Sequence, residues 1–305
     1  MSIRVPPDLA RTVGETWGAR GERWLADLPC LTAAIADDWG LDVGPPFDLS
    51  YHWVCSATRS DGRQAVLKLG PAWPGHLAIE AATLGIFDGH GAVRLLASDT
   101  ARGALLLERA QPGTPATALV GHHDEDATAA AVRLMRMLNV PPPPGCPLPA
   151  LAEERASFAG YLRDHPGDSP LPRYLVERAG SLFDELCASA PGQAVLHGDL
   201  HHENILRATR EPWLAIDPHG VVGDRGYEIG ALLYNPEPTR RDDSLLALVP
   251  ARIEQLADGL RLPIERVVAW GFVKAVLSEV WDAEGGDEPG GRALDVALHL
   301  LPRLP

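Results

Sequence analysis

Several things are scarce in this chain of 305 residues, and each shortage removes a class of function. Cysteine is rare: Cys30, Cys55, Cys146 and Cys187 are scattered, and no CxxC pair occurs. That spacing offers neither a disulfide frame nor a zinc ribbon and reads as free thiols in a reducing cytoplasm. Positive charge is outweighed, with 27 Lys and Arg against 41 Asp and Glu, for a net charge of −14. Such a balance argues against a nucleic-acid partner and suits a cationic or metal-chelated small substrate. Nowhere do 18 apolar residues run together, and the first residues form no apolar signal core, so neither a membrane span nor secretion is expected. No HExxH and no internal repeat is present. What remains is 46% apolar and 22% charged, an ordinary soluble composition in a chain long enough to bury a substantial core.

Periodicity divides the chain. Residues 8–40 space Leu9, Val13, Trp17, Trp24, Leu28, Leu31 and Ile35 as two or three short helices would, and Gly44-Pro45-Pro46 then punctuates. Residues 49–57 and 64–69 read as strands joined by the turn Arg59-Ser60-Asp61-Gly62. Residues 76–87 read as a helix, and 92–97 and 103–107 as two further strands. Beyond Gln111-Pro112-Gly113 the pattern is helical, over 124–138, 151–165, 171–188, 245–259, 264–283 and 291–301, with the prolines at 141–144 as a stiff connector. The expectation is an α+β chain of two lobes with a cleft between them. Residues 1–110 form a small antiparallel-sheet lobe with one inserted helix and a helical extension, and residues 111–305 form a larger, mainly helical lobe. A single α+β domain with a helical tail is the alternative.

Polar chemistry is concentrated in residues 195–218, where HGDLHHENILRATREPWLAIDP places two aspartates, an asparagine and three histidines within 21 residues. These positions follow neither a helical nor a two-residue apolar period, so they are not one face of an amphipathic element. Asp199 and Asn204 are five apart, and Asp217 follows Asp199 by 18 at the end of an apolar run. A magnesium ion takes few protein oxygens and fills its shell with water and phosphate, so an amide and a carboxylate suffice, leaving Asp199 to act on a hydroxyl proton. Any one of these residues alone reads as a turn cap or a strand end; the three together point to phosphoryl transfer. His197, two before Asp199, reads as a scaffold for the loop. His197 and His201 are four apart, but in a loop, so zinc is not favoured. The pair His122-His123 reads as solvated. Lys68, in AVLKLG, is either an ordinary edge lysine or the contact to the α/β-phosphates of ATP, with Glu80, twelve residues on, as its acidic partner. The main chain at Glu108, Arg109 and Ala110, where sheet gives way to helices, is the candidate adenine contact.

HGDLHHENIL, the following WLAIDPHGVVGDRGYEIGALLYNP, and the upstream GAVRLL and LLLERA resemble the kinase-like aminoglycoside phosphotransferase superfamily, and within it the streptomycin 6-phosphotransferases. These are grouped with hydroxyurea kinases as aminoglycoside/hydroxyurea antibiotic resistance kinases. The resemblance spans roughly residues 45–300 and implies a bilobal, protein-kinase-like fold using ATP and Mg2+. It implies Asp199 as catalytic base, Asn204 and Asp217 as magnesium ligands, and Lys68 on the phosphates with Glu80 pairing it. Glu108 and Ala110 would bind the nucleotide, and His197, Asp224 and Glu228 would brace the catalytic loop. Three departures accompany it, the first being Gly198 after His197 where protein kinases have an arginine. Asp217-Pro218-His219 stands where protein kinases have Asp-Phe-Gly, and no GxGxxG lies between residues 49 and 64, where only Ser50, Tyr51, His52, Ser56 and Ala57 could cover the phosphates.

The implied acceptor is a small aminoglycoside, streptomycin, phosphorylated at the 6-hydroxyl of its streptidine ring. Its guanidinium groups call for carboxylates in charge-assisted pairs. SEVWDAEGGDE, residues 278–288, supplies Glu279, Asp282, Glu284, Asp287 and Glu288, with Trp281 able to stack on a planar cation. A solvated acidic helix end is the plain alternative. Competing functions are a hydroxyurea kinase, another small-molecule kinase, and a catalytically dead binding module. No nucleic acid, membrane or obligate protein partner is expected, and the chain is read as a cytoplasmic monomer.

Overall fold

The computed structural model describes residues 3–47, 51–73, 75–236, 244–285 and 290–305. The chain divides into two units, Met1–Gln111 and Pro112–Pro305.

In the first unit, α1 (Pro7–Trp39) opens on a proline, whose missing N–H would be unpaired there in any case. The two or three helices expected from the sequence are one run broken at Gly18, whose φ of 51° and ψ of −140° suit glycine. Leu9, Val13, Trp24, Leu28 and Ile35 recur along the run and pack on Trp53, Cys55, Ala57, Leu67 and Leu69. Each of the buried leucine, valine and isoleucine side chains among them contributes about 1.5–3 kcal/mol of burial. The strands are β1 (Leu41–Pro46), β2 (Trp53–Arg59), β3 (Gln64–Leu69), β4 (Leu95–Asp99) and β5 (Ala104–Glu108), with α2 (His76–Phe87) between β3 and β4. They form an antiparallel sheet in the order β1-β2-β3-β5-β4.

Strand β1 replaces the plain break expected at Gly44-Pro45-Pro46. An edge strand accommodates proline, and the ladder shifts register between Val43 and Pro46. Of the strand expected at 49–57, residues 49 and 50 lie outside the described residues. Strand β3 is the middle of the sheet, so Lys68 is no edge lysine: it pairs with Val54 on one side and Leu105 on the other. Strand side chains alternate, so Leu67 and Leu69 join the core with α1 while Lys68 turns to the opposite face, where it meets Glu80 of α2.

The second unit contains, in order, β6 (Pro112–Pro115), α3 (Asp124–Leu138), α4 (Arg155–Asp164), α5 (Arg173–Ala188), β7 (Ala194–Leu196), β8 (Ile205–Ala208), β9 (Trp213–Ala215), β10 (Val221–Gly223), α6 (Ile229–Tyr234), α7 (Val249–Leu260), α8 (Ile264–Gly285) and α9 (Arg292–Leu300). The helix expected over 151–165 starts instead with a 3-10 turn, Leu151–Glu154, before α4. Helix α8 is buried on all sides from Val267 to Leu277, where every residue but Lys274 is apolar or glycine, and α4, α5, α6, α7 and α9 pack around it. A Cβ at Gly230 would lie 2.1 Å from Lys274 Cβ, so α6 approaches α8 this closely only because glycine stands there. The two short strands and loop expected at 195–218 are part of a larger arrangement. Strand β7 pairs antiparallel with β10, and nested between them in sequence β8 pairs with β9 and β6.

Candidate active site

The nested strand pairs decide which polar side chains of the second unit meet. Because Val221 of β10 lies opposite Leu196 of β7, the chain leaving β7 runs beside the chain entering β10. His219 and Gly220 donate their N–H groups to the His197 carbonyl at 2.8 and 3.0 Å, and Ile216 donates to the Asn204 carbonyl at 3.0 Å. Asn204 and Asp217, 13 residues apart, thus sit at adjacent strand ends. Asp217 has a φ of 59°, a left-handed conformation that aspartate tolerates better than most residues.

His197 is completely buried and anchors the loop at both ring nitrogens. Its Nε2 donates to the Ile216 carbonyl at 2.8 Å, and its Nδ1 accepts from the Asp199 N–H at 3.3 Å. That pattern requires a neutral imidazole, and burial pushes its pKa down to about 4. Gly198, at φ 84°, makes the turn into Asp199. Its N–H donates to both oxygens of Glu228, at 3.0 and 3.3 Å, and its carbonyl accepts from Lys274 Nζ at 3.0 Å. Burial pushes the Glu228 carboxyl up to about 7.

The Asp199 carboxylate lies 3.3 Å from His201 Nε2 and 3.8 Å from His219 Nε2. Burial alone would raise its pKa, but His201, His219 and Lys274 outweigh that and hold it well below the usual carboxylate range. The other nitrogen of His201 is 2.6 Å from Glu203. Burial opposes protonation of His201, yet its two carboxylate partners raise it to about 9, so it is an imidazolium at neutral pH. Asn204 Nδ2 donates to the Asp199 main-chain oxygen at 3.0 Å. His202 is a buried core side chain, pushed by burial to about 2 and hence neutral. Asp224 accepts from the Gly226 N–H at 2.9 Å and from Trp270 Nε1 at 3.0 Å, and pairs with Arg266, tying the turn before α6 to α8.

In the first unit Lys68 Nζ and Glu80 Oε2 are 2.7 Å apart, both side chains about as buried as the core around them. Glu108 ends β5; its side chain accepts from the Arg94 N–H at 3.0 Å and its own N–H donates to the Arg94 carbonyl at 2.9 Å, so the nucleotide candidate is the Glu108 carbonyl with the main chain of half-buried Ala110.

The candidates on α8 separate. Glu279 is fully buried and both its oxygens are committed, accepting from the Leu294 N–H at 2.8 Å and the Gly290 N–H at 2.5 Å. It braces the entry to α9 instead of facing an acceptor. Trp281 is half-buried, Asp282 and Glu284 are exposed, and Asp287 and Glu288 lie outside the described residues. Sequence reasoning missed Glu154, at the end of the 3-10 turn before α4. Burial raises its pKa, against Lys274 and His219, and it accepts a hydrogen bond from Trp281. Glu284 is raised too, by burial first and then by Glu154 and Asp164. Asp199, His219, Lys274, Glu154 and Glu284 thus form one charged cluster, with the Trp281 ring beside Lys274 and bonded to Glu154. Nothing in the spacing joins residue 154 to residue 281, and Lys274 looks like a helical core position.

The family model for aminoglycoside/hydroxyurea antibiotic resistance kinase matches residues 44–286. The chain belongs to this family. It is 35% identical over 293 residues to a streptomycin 6-kinase of Streptomyces griseus, covering 93% of this chain and 92% of that protein. A hydroxyurea phosphotransferase of Kitasatospora aureofaciens is 34% identical, covering 93% and 82%. Among solved structures, a choline kinase of Streptococcus pneumoniae superposes with a TM-score of 0.60 at 13% identity, over 89% of this chain and 98% of that one. The antiparallel-sheet lobe and the mainly helical lobe are therefore those of the kinase-like aminoglycoside phosphotransferase fold.

Phosphoryl transfer from ATP ordinarily uses a divalent metal ion, which raises the question of what could hold one. Among the described residues no group of three or more histidine, cysteine or acidic side chains could hold one. The Asn204 amide and the Asp217 carboxylate, at adjacent strand ends, fit a hard divalent cation that draws its remaining oxygens from phosphate and water.

Proposed function

We propose that this kinase transfers the γ-phosphoryl group of ATP to the 6-hydroxyl of the streptidine ring of streptomycin. The observation that carries the reading is Asp199, a carboxylate kept ionised by His201, His219 and Lys274 in a loop whose peptide groups are bonded on several sides. Asp199 accepts the hydroxyl proton as the acceptor oxygen bonds to the γ-phosphorus; the bond to the β-phosphate oxygen breaks and ADP leaves. Asn204 and Asp217 would hold Mg2+, which when bound neutralises charge on the phosphates. Lys68, oriented by Glu80, contacts the α/β-phosphates, and the main chain at Glu108 and Ala110 takes the adenine.

Identity to the streptomycin 6-kinase supports the acceptor, as does the carboxylate cluster. Glu154 and Glu284, with exposed Asp282, offer charge to guanidinium groups, and Trp281 offers a ring face. Glu279 has a bracing role. The free thiols Cys30, Cys55, Cys146 and Cys187 suit a reducing cytoplasm. Hydroxyurea is the second reading, because identity to its phosphotransferase is nearly as high. The carboxylate cluster has no use for a small neutral acceptor and favours streptomycin.

The test is a panel of streptomycin, other aminoglycosides and hydroxyurea with ATP and Mg2+, read by ADP release and product mass. Streptomycin should gain one phosphoryl group, mapped by NMR to the 6-hydroxyl, with kcat/KM exceeding that for hydroxyurea by about tenfold or more. A reversed preference, or modification at another hydroxyl, overturns the reading.

A further inference from the structure

Helix α8 carries a lysine where its pattern calls for an apolar side chain. Lys274 lies among Phe272, Val273, Ala275 and Val276 and is 1% exposed. An ammonium taken out of water is costly unless it is bonded, so its partners should explain its presence. Nζ donates to the Gly198 carbonyl at 3.0 Å and to the Tyr227 hydroxyl oxygen at 2.5 Å. Two aromatic faces enclose it, with ring centroids 4.2 Å away for Tyr227 and 4.4 Å for Trp281. Three carboxylates act on it from three elements: Asp199 from the loop after β7, Glu154 from the turn before α4, and Glu228 from the turn before α6. His219, which faces Asp199 and Glu154, completes the charged surroundings.

The bonds go to a peptide carbonyl and a phenol, and that placement has a consequence for Asp199. Gly198 is held at its N–H by Glu228 and at its carbonyl by Lys274. A glycine at φ 84° has the freedom to move that peptide unless both ends are tied. We infer that Lys274 is a positioning residue: it fixes the peptide leading into Asp199 and, through the Trp281 ring and its Glu154 partner, joins that loop to the acceptor side of the site. The inference rests on Asp199 being the base.

Burial pulls the Lys274 pKa down from its ordinary value to about 8, with Asp199, Glu154 and Glu228 opposing the shift. As pH rises through that value the ammonium loses its charge and a donor. Turnover should therefore carry a basic limb that belongs to Lys274.

Lys274→Met keeps an unbranched side chain between the two rings, where sulfur packs well, and Lys274→Arg keeps the charge. In Lys274→Met, kcat should fall about 100-fold, as expected for a misplaced base, with KM for ATP within about twofold. The basic limb near pH 8 should vanish in Lys274→Met and move beyond the assay range in Lys274→Arg. Wild-type kcat in Lys274→Met, or an unshifted limb in either variant, overturns the inference. An incorrect acceptor assignment shows separately, as a wild-type enzyme idle on streptomycin. Hydrogen exchange at the Asp199 amide needs no acceptor and should quicken by about tenfold or more in Lys274→Met, since opening of the loop becomes easier; unchanged exchange there also overturns it.

Discussion

Lys68 and Glu80 meet as a buried ion pair, 2.7 Å apart and enclosed by sheet and helix, whereas at Asp199 the carboxylate borders more than one cationic group. Its carboxylate borders His201 and His219, and its peptide neighbourhood is tied to His197, Glu228 and Lys274. The first arrangement fixes one cation at one place. The second leaves a carboxylate ionised and partly open: His201 and His219 both border one oxygen, Oδ2, while the other supports hold the backbone. On the roles proposed for them, a group that grips phosphate can be held by a buried counter-charge, whereas a group that must take a proton has to be positioned without being neutralised.

The comparison can be broken from either side. Asp199→Asn should have the largest effect, lowering kcat by about 1,000-fold, within the range for loss of a general base. ADP release measures it, and ATP affinity should be unchanged. Lys68→Met should fail differently. It removes the Lys68 cation from the buried Glu80 carboxylate; breaking a buried pair in this way costs about 3–5 kcal/mol and lowers the melting temperature, while ATP binding weakens. Adding Glu80→Gln should recover most of the stability and none of the ATP binding, and recovery of both would break the distinction.

A smaller effect concerns pH. His197 and His202 have folded-state pKa values lowered to about 4 and about 2. Below the ordinary histidine range near 6.5 the unfolded chain takes up protons that the folded chain does not. Their stabilisation is thus complete above about pH 6.5 and is lost as pH falls toward 4, by about 1.4 kcal/mol per pH unit for each histidine. The raised Glu228 works in the opposite sense over its own range, losing stabilisation as pH rises toward 7. Denaturation curves between pH 6.5 and 4 should steepen in this way, and His197→Asn should flatten them by about one proton's worth. Site-resolved hydrogen exchange should place the loss in the second unit, where both histidines lie.

How much of this could be read from the chain follows from the same contrast. Lys68 and Glu80 are twelve residues apart on a strand and the next helix, so local pattern suffices to pair them. Asp199, Asn204 and Asp217 are brought together by one loop and one hairpin, again a local event. The supports come from far away in sequence: Glu228 from the turn before α6, Lys274 from α8, and Arg266 and Trp270 from α8 onto Asp224. No periodicity links such positions, and a lysine within an apolar helix looks like noise until the helix is packed. Glu279 misleads for the converse reason, since an acidic residue near a helix end reads as solvated or ligand-binding until the backbone donors of Gly290 and Leu294 are seen. In the sheet, Pro45 and Pro46 hid an edge strand because proline ordinarily ends one.

We propose a division of labour between the two centres, with Lys68 holding nucleotide and Asp199 performing the transfer. Calorimetric ATP binding with Mg2+, run beside turnover on Lys68→Met/Glu80→Gln and Asp199→Asn, tests it most directly. The first variant should lose ATP affinity, and Asp199→Asn should bind ATP like the wild type yet turn over about 1,000-fold more slowly. Normal ATP affinity in the first variant, or substantial turnover in Asp199→Asn, would contradict it.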